Sequence, residues 1–111
     1  MKRNGTRNYP FIGKSKRLKD AERIGTLELI SQRNTQKMAH PIRGPVQVTF
    51  LFYRDNRRPA DLANLIALPS DLLQATGIIE NDSQIESHDG SRKYYDKENP
   101  RTEIIVREYI E

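Results

Sequence analysis

The chain has 111 residues, no cysteine and a hydrophobic share of 35%. This length fits one domain, and the lack of cysteine excludes disulfides and thiolate metal sites, as is natural in a reducing compartment. No apolar run approaches the roughly 20 residues that span a bilayer, and the N-terminus lacks the apolar segment of a secretory signal. We therefore expect one soluble, cytoplasmic domain over residues 1–111 with no membrane partner.

The net charge of +4 is unevenly distributed along the chain. Residues 1–43 contain eleven Lys or Arg and three acidic residues, a net charge of +8. Residues 44–111 contain eight basic and twelve acidic residues, a net charge of −4. A basic half beside an acidic half indicates a polyanion-binding surface next to a carboxylate site. The alternative is a solvated basic helix and tail, but the pI of about 9.5 favours nucleic-acid binding.

The first half of the chain is predicted to contain a loop and one helix. Residues 1–14 are basic and contain glycine and proline, which predicts an extended loop or a short hairpin. Over residues 15–32 apolar residues recur at three-residue steps, which predicts a helix with its basic residues near the start. Gly25 would lie inside this helix and weaken it by about 1 kcal/mol relative to alanine. The predicted apolar stripe comprises Leu18, Ala21, Ile24, Leu27 and Ile30.

Alternation predicts the strands. After a polar loop at 33–45, residues 46–53 alternate regularly, and the other face of this strand is only half polar, so we expect an interior position. Residues 85–95 are weakly strand-like, a turn follows, and the alternation resumes in a closing strand. The residues that alternation places on one face of each regular strand are Val46, Val48, Phe50, Phe52, Thr102, Ile104 and Val106.

A second helix is predicted between these strands. Asp61 is placed to cap its N-terminus, and Gly77 fits the position just after its C-terminus. Pro69 falls inside the apolar pattern and predicts two short helical pieces, because an interior proline removes a backbone hydrogen bond. Together the elements predict an α+β domain, in which two helices pack on a mixed sheet of about four strands.

Two carboxylates of this region are candidate metal ligands. Asp61 follows the basic pair Arg57 and Arg58, and Asp82 lies in the return loop after the helix. Acidic residues beside basic ones suit a Mg²⁺ site on a phosphodiester. A straight helix of about 16 residues would be about 24 Å long and keep the acids apart. A kink at Pro69, or a helix that starts a few residues after Asp61, would bring them within reach. The alternatives are a simple helix cap for Asp61 and an ordinary turn for Asp82.

The order of motifs over residues 57–85 is informative. It reads Arg57-Arg58, Asp61-Leu62-Ala63-Asn64-Leu65, Asp71-Leu72-Leu73 and Asn81-Asp82-Ser83-Gln84-Ile85. This series resembles the signature of the RusA family of Holliday junction resolvases. That signature consists of a basic pair, Asp-Leu-Asp-Asn-Leu, a helix with Asp-Ala-Leu, and an Asp-Asp-x-Gln-Ile/Val turn.

The resemblance implies a homodimeric α+β endonuclease of phage or prophage type, acting in a bacterial or phage-infected cell. Such an enzyme cuts symmetry-related strands of a four-way DNA junction with Mg²⁺ in recombination and repair. The implied catalytic and metal-binding residues are Asp61 and Asp82, and Asn64 and Asp71 are candidates to orient them. Basic residues supply sequence-independent affinity for the DNA backbone. The basic residues expected to do so are Lys2, Arg3, Arg7, Lys14, Lys16, Arg17, Lys19, Arg57 and Arg58.

The chain departs from the family pattern in three places. Ala63 stands where the family has its second aspartate, Ala67 stands where close relatives have a lysine, and the family's opening strand has no counterpart in the sequence. Asp71, Glu80 and Glu86 are candidates to replace the missing acid. These departures favour an alternative from another class, a catalytically impaired protein that binds branched DNA. A third hypothesis is a small basic interaction domain without a nucleic-acid role.

Overall fold

The computed structural model describes residues 7–14 and 24–109, and within these ranges two helices accompany a mixed sheet. The elements in chain order are β1 (Asn8–Gly13), α1 (Thr26–Thr35), β2 (Val46–Arg54), α2 (Leu62–Ala75), a 3₁₀ helix (Asp82–Gln84), β3 (Ile85–Ser87), β4 (Arg92–Tyr95) and β5 (Arg101–Glu108). The strand order is β1-β5-β2-β3, and β4 pairs with β2 beside β3. The predicted α+β class is confirmed, with five strands where about four were expected.

The core is built around β2, the central strand. It pairs antiparallel with β5 on one side and parallel with β3 and β4 on the other. The register places Phe11 of β1 and Phe50 of β2 on either side of Ile104 in β5, so these side chains form one row across the sheet. Burying each such side chain contributes about 1.5–3 kcal/mol. The face that alternation predicts for each strand is fully buried, and its residues are Val46, Val48, Phe50, Phe52, Thr102, Ile104 and Val106.

The predicted bounds of the first helix, residues 15–32, are wrong in the part of this segment that the structure describes. Residues 15–23 lie outside the described ranges, and α1 begins only after Gly25, which is its N-cap rather than an interior residue. Leu27, predicted on the buried stripe, is 81% exposed, whereas Leu29 is fully buried. Because α1 begins after Gly25, its buried face follows the register of residues 26–35 and not the three-residue steps of the predicted stripe.

The segment predicted as a loop or hairpin contains an edge strand, and α1 covers its free side. Gln32 accepts a hydrogen bond from the Ile12 backbone N–H at 2.7 Å and donates to the Ile12 carbonyl. Gln36, one turn later, donates to the Pro10 carbonyl at 2.7 Å. Pro10 has no N–H to satisfy, which suits an edge position. Side chains of α1 and of its C-cap Gln36 therefore replace the neighbouring strand that β1 lacks, and they protect an edge that could otherwise pair with other chains.

The second helix is continuous, so the predicted break at Pro69 is wrong. Asp61 is its N-cap, as predicted, and accepts a hydrogen bond from the Ala63 N–H at 3.0 Å. Gly77 adopts a positive φ of 77° directly after the C-cap, also as predicted. Pro69 and Leu73 are both buried, and packing of both halves of α2 on the core outweighs the lost hydrogen bond. No helix among the described residues is long and apolar enough to cross a bilayer.

Candidate functional site

Asp61 lies at the end of the sheet where β2 finishes. Its side chain is exposed, and one carboxylate oxygen is already hydrogen bonded to the first turn of α2. The preceding carbonyl, that of Ala60, accepts a hydrogen bond from Lys93 Nζ at 2.6 Å. Because Lys93 pairs with Phe52 in the register of β2 and β4, this contact places Asp61 beside the C-terminal part of β2.

Asp82 lies at the other end of the sheet, where β2 begins. Its backbone N–H donates to Gln74 in the last turns of α2 at 2.8 Å. Two residues later, the Gln84 amide donates to the carbonyls of Ile42 and Gly44 at 3.0 and 2.7 Å. The Gln84 side-chain oxygen also accepts hydrogen bonds from two N–H groups of the loop before Asp82. Gln84 therefore holds the Asp82 loop against the segment that enters β2.

The structure does not bring Asp61 and Asp82 together within one chain. The span of α2 from Asp61 to Gln74 is about 20 Å at 1.5 Å per residue. The length of β2 between the two ends is similar, about 26 Å at 3.3 Å per residue. Among the described residues, no group of three or more His, Cys, Asp or Glu could hold a metal ion. The catalytic role of the two aspartates stays a prediction.

The other acidic and polar candidates are dispersed. Asn64 lies in the first turn of α2 and Asp71 in its second half, and both are exposed. Glu80 forms an ion pair with Arg43 at 3.1 Å, and Glu86 is an exposed residue of β3. None of these positions is shown to replace the acid missing at residue 63, so their roles also stay predictions.

Four of the predicted DNA-binding residues lie in the part of the chain that the structure describes, and these are Arg7, Lys14, Arg57 and Arg58. Lys2, Arg3, Lys16, Arg17 and Lys19 lie outside the described residues. Lys14 is exposed directly after β1.

The guanidinium carbon of Arg7 lies 4.6 Å from the centre of the Tyr9 ring. Arg7 borders a cavity of about 310 Å³, together with Lys37 and Arg43. These three basic residues form a first cationic surface. Glu108 lies in the same cavity wall, so this surface also contains an acid.

A second cationic surface forms at the opposite end of the sheet. Arg57 and Arg58 are exposed and border a cavity of about 230 Å³. Lys93 and Tyr95 of β4 complete its wall, and the Arg57 guanidinium lies 4.1 Å from the centre of the Tyr95 ring. Sequence reasoning found the arginine pair and missed Lys93, because the two meet only through the parallel pairing of β4 with β2.

A second aromatic residue of β4 packs against the neighbouring strand β2. Tyr94 stacks on Tyr53 with ring centres 4.8 Å apart, and Arg101 lies 3.7 Å over the Tyr53 ring. Burial, together with the charge of Glu103, raises the pKa of Tyr53. The hydrogen bond from Arg101 lowers the pKa of Asp96. Arg101 forms ion pairs with Asp96 and with Glu103, and these contacts hold the turn before β5 in place.

The fold and its surfaces define a class of protein: a small α+β domain with cationic cavities at both ends and exposed carboxylates beside them, suited to a phosphate-rich polymer. The family model described as Endodeoxyribonuclease RusA matches residues 4–107. The chain therefore belongs to the RusA endodeoxyribonuclease family, and the resemblance predicted from residues 57–85 is confirmed. Membership makes it a nuclease of a family that resolves Holliday junctions. No curated protein matches the chain.

Proposed function

We propose that this protein is a Mg²⁺-dependent, structure-selective endonuclease of phage type that cuts four-way DNA junctions in the cytoplasm of a bacterial or phage-infected cell. The observation that carries the proposal is the match of the RusA family over residues 4–107. Cationic cavities at both ends of the sheet support a polyanionic substrate. Use of a divalent metal is general among resolvase nucleases.

The carboxylates of one chain do not fit a shared metal ion. Mg²⁺ binds oxygen ligands at about 2.0–2.1 Å, so two of its ligand atoms lie no more than about 4 Å apart. Asp61 and Asp82 are associated with opposite ends of α2. We therefore propose a homodimer in which a second copy completes the site. Two α2 helices related by a two-fold axis and running antiparallel bring the Asp61 end of one copy to the Asp82 end of the other.

The outward face of α2 supports such a contact. Close approach of two helices, at 8–10 Å between axes, favours small side chains at the point of contact. Leu68, on this face, is a large hydrophobic residue that remains 45% exposed. The small or apolar residues exposed along α2 are Ala63, Ala67, Leu68 and Ala75.

Cleavage of a labelled four-way junction tests the activity. We expect Mg²⁺-dependent cutting that is lost in Asp61→Asn and in Asp82→Asn, because both carboxylates belong to the site. Asp89→Asn, which removes an exposed carboxylate in the turn before β4, is the matched control and should cut normally. Cutting that persists in either site variant would remove that aspartate from the mechanism.

Mixing the two inactive variants tests the shared site. A heterodimer of Asp61→Asn with Asp82→Asn contains one site in which both aspartates are intact, provided that each site combines Asp61 of one copy with Asp82 of the other. We expect the mixture, after subunit exchange, to nick the junction in one strand. If each site lay within one chain, every site in the mixture would lack an aspartate and no nick would form.

A catalytically impaired protein that binds branched DNA is the second candidate. The observation that favours it is Ala63, which stands on the exposed first turn of α2 where the family has an aspartate. Tight binding of the junction without cutting in Mg²⁺ would support this candidate over the enzyme. Lack of junction binding at low salt would contradict both.

A further inference from the structure

The cavity beside Arg57 combines cations with an aromatic wall and contains no acid among its described lining residues. We propose that this cavity, the Arg57 cavity, is a phosphate subsite. It binds one phosphodiester of the DNA strand that lies next to Asp61. The identification of the anion as DNA rests on the proposed function, whereas the anion site itself does not. Its cationic lining residues are Arg54, Arg57, Arg58 and Lys93.

The loop over the cavity is held in place by its own hydrogen bonds. Arg54 donates to the Arg58 carbonyl at 2.7 Å, and the Arg58 N–H donates to the Asn56 side chain at 2.9 Å. Lys93 Nζ donates to the Ala60 carbonyl at 2.6 Å. An ammonium group has three N–H donors, so Lys93 can join the loop to β4 and still contact a ligand. The cationic groups are thus positioned before any ligand arrives, which lowers the entropic cost of binding.

Arg57 is oriented by the Tyr95 ring. Its guanidinium lies 4.1 Å from the ring centre, and Tyr95 itself remains 43% exposed. A guanidinium that packs on an aromatic ring by its flat face keeps its in-plane N–H groups directed outward. These groups match the oxygens of a phosphate in a bidentate arrangement. Tyr95 is therefore a positioning residue for Arg57.

Charge balance favours an anion in this cavity over the cavity beside Arg7. The exposed cations gathered in the Arg57 cavity, among which the buried Arg54 is not counted, repel each other, and a bound phosphate relieves that repulsion. In the Arg7 cavity the charge is already balanced in part, because Glu108 lines it and Arg43 is paired with Glu80. The Arg57 cavity is therefore the better anion-binding site of the two.

The position of the cavity links it to the candidate carboxylate. Lys93 is hydrogen bonded to Ala60, the residue directly before Asp61. Phosphates follow one another at about 3.4 Å of axis along a DNA strand. A phosphate held at Lys93 and Arg57 therefore places a neighbouring phosphate of the same strand near Asp61.

Titration with inorganic phosphate, followed by amide NMR shifts of the ¹⁵N-labelled protein, tests the anion site directly. We expect saturable shifts at residues 56–58 and 92–95, with affinity reduced at least about tenfold in Lys93→Gln and in Arg57→Gln because each loses a charge-assisted hydrogen bond. Lys97→Gln removes an exposed lysine two residues after β4 and should bind as the wild type. Equal affinity in all four proteins, or shifts confined to other residues, would overturn the subsite.

Two substitutions at Tyr95 separate positioning from general structure. Tyr95→Phe keeps the ring surface under Arg57 and should retain phosphate affinity. Tyr95→Leu removes the ring and should weaken binding by several-fold while the amide shifts of β2 and β5 stay unchanged. Equal affinity in the Leu and Phe variants would show that the stack does not orient Arg57.

The salt dependence of junction binding tests whether the anion is DNA. Removing one phosphate contact lowers the slope of log K against log salt by about 0.9 on duplex DNA. We expect this change in Lys93→Gln and not in Lys97→Gln. An unchanged slope in Lys93→Gln would overturn the placement of DNA here. If the wild type binds phosphate but no junction, the proposed function fails and the anion site stands.

Discussion

Replacement of Gln84 by alanine should destabilise the protein more than any other single change in the Asp82 loop. Its amide makes four hydrogen bonds: it accepts from the N–H groups of Glu80 and Asn81 at 2.7 and 2.8 Å, and donates to the carbonyls of Ile42 and Gly44 at 3.0 and 2.7 Å. A typical hydrogen bond contributes about 0.5–1.5 kcal/mol net. Gln84 is half-buried, so water replaces part of what is lost, and we expect a destabilisation of about 2–4 kcal/mol.

Urea unfolding followed by circular dichroism measures this free energy. Gln74→Ala is the matched control. Among the described residues the Gln74 side chain makes one hydrogen bond, which it accepts from the Asp82 N–H at 2.8 Å, so this variant should lose about 0.5–1.5 kcal/mol. Amide exchange at residues 80 and 81 should accelerate in Gln84→Ala, since both N–H groups lose their acceptor. If Gln84→Ala is no less stable than Gln74→Ala, the assignment of Gln84 as the residue that holds this loop is refuted.

Three further predictions follow from backbone geometry and charge. Gly13→Ala would place a Cβ 2.7 Å from the Ile24 Cα, so we expect a loss of about 1–3 kcal/mol in the free energy of unfolding; an unchanged urea midpoint would contradict the close approach. Lys37 has a φ of 56° after α1, so Lys37→Gly should raise the free energy of unfolding by about 0.5–1 kcal/mol, and a lower midpoint would show that the cost of this conformation is negligible. The pKa of Asp96 is lowered from 3.8 by the hydrogen bond from Arg101, so its carboxylate stabilises the fold above pH 3.8 and this contribution disappears as the pH falls through the lowered pKa. Thermal unfolding should therefore separate wild type from Asp96→Asn at pH 6, and the difference should shrink as the pH falls below 3.8; a difference of the same size at every pH would be inconsistent with that linkage.

Those parts of the fold that depend on neighbours in sequence were predictable. The alternation of residues 46–53 was sufficient to place β2 and its buried face. Asp61 and Gly77 were recognised as the two ends of α2 because capping depends on the residue type within one turn. The family of the chain was likewise readable from the motifs of residues 57–85, and the family match confirms it.

Several features depended on partners distant in sequence, and there the predictions failed or were incomplete. Because α1 begins at Thr26, the side chain of Gln32 faces the free edge of β1 and bonds to Ile12. No local sequence pattern shows where that edge lies. Pro69 should break an isolated helix, yet α2 continues because both of its halves pack on the sheet.

The sequence by itself determined the family, the central strand and the ends of α2, since these follow from residue types at short range. Only the tertiary structure decided that Asp61 and Asp82 lie at opposite ends of one uninterrupted helix, and that Lys93 joins the loop of Arg57. Distances between residues far apart in the chain depend on strand pairing and packing. A parallel connection turns the chain back through a helix, so residues at the two ends of that helix are held about 20 Å apart.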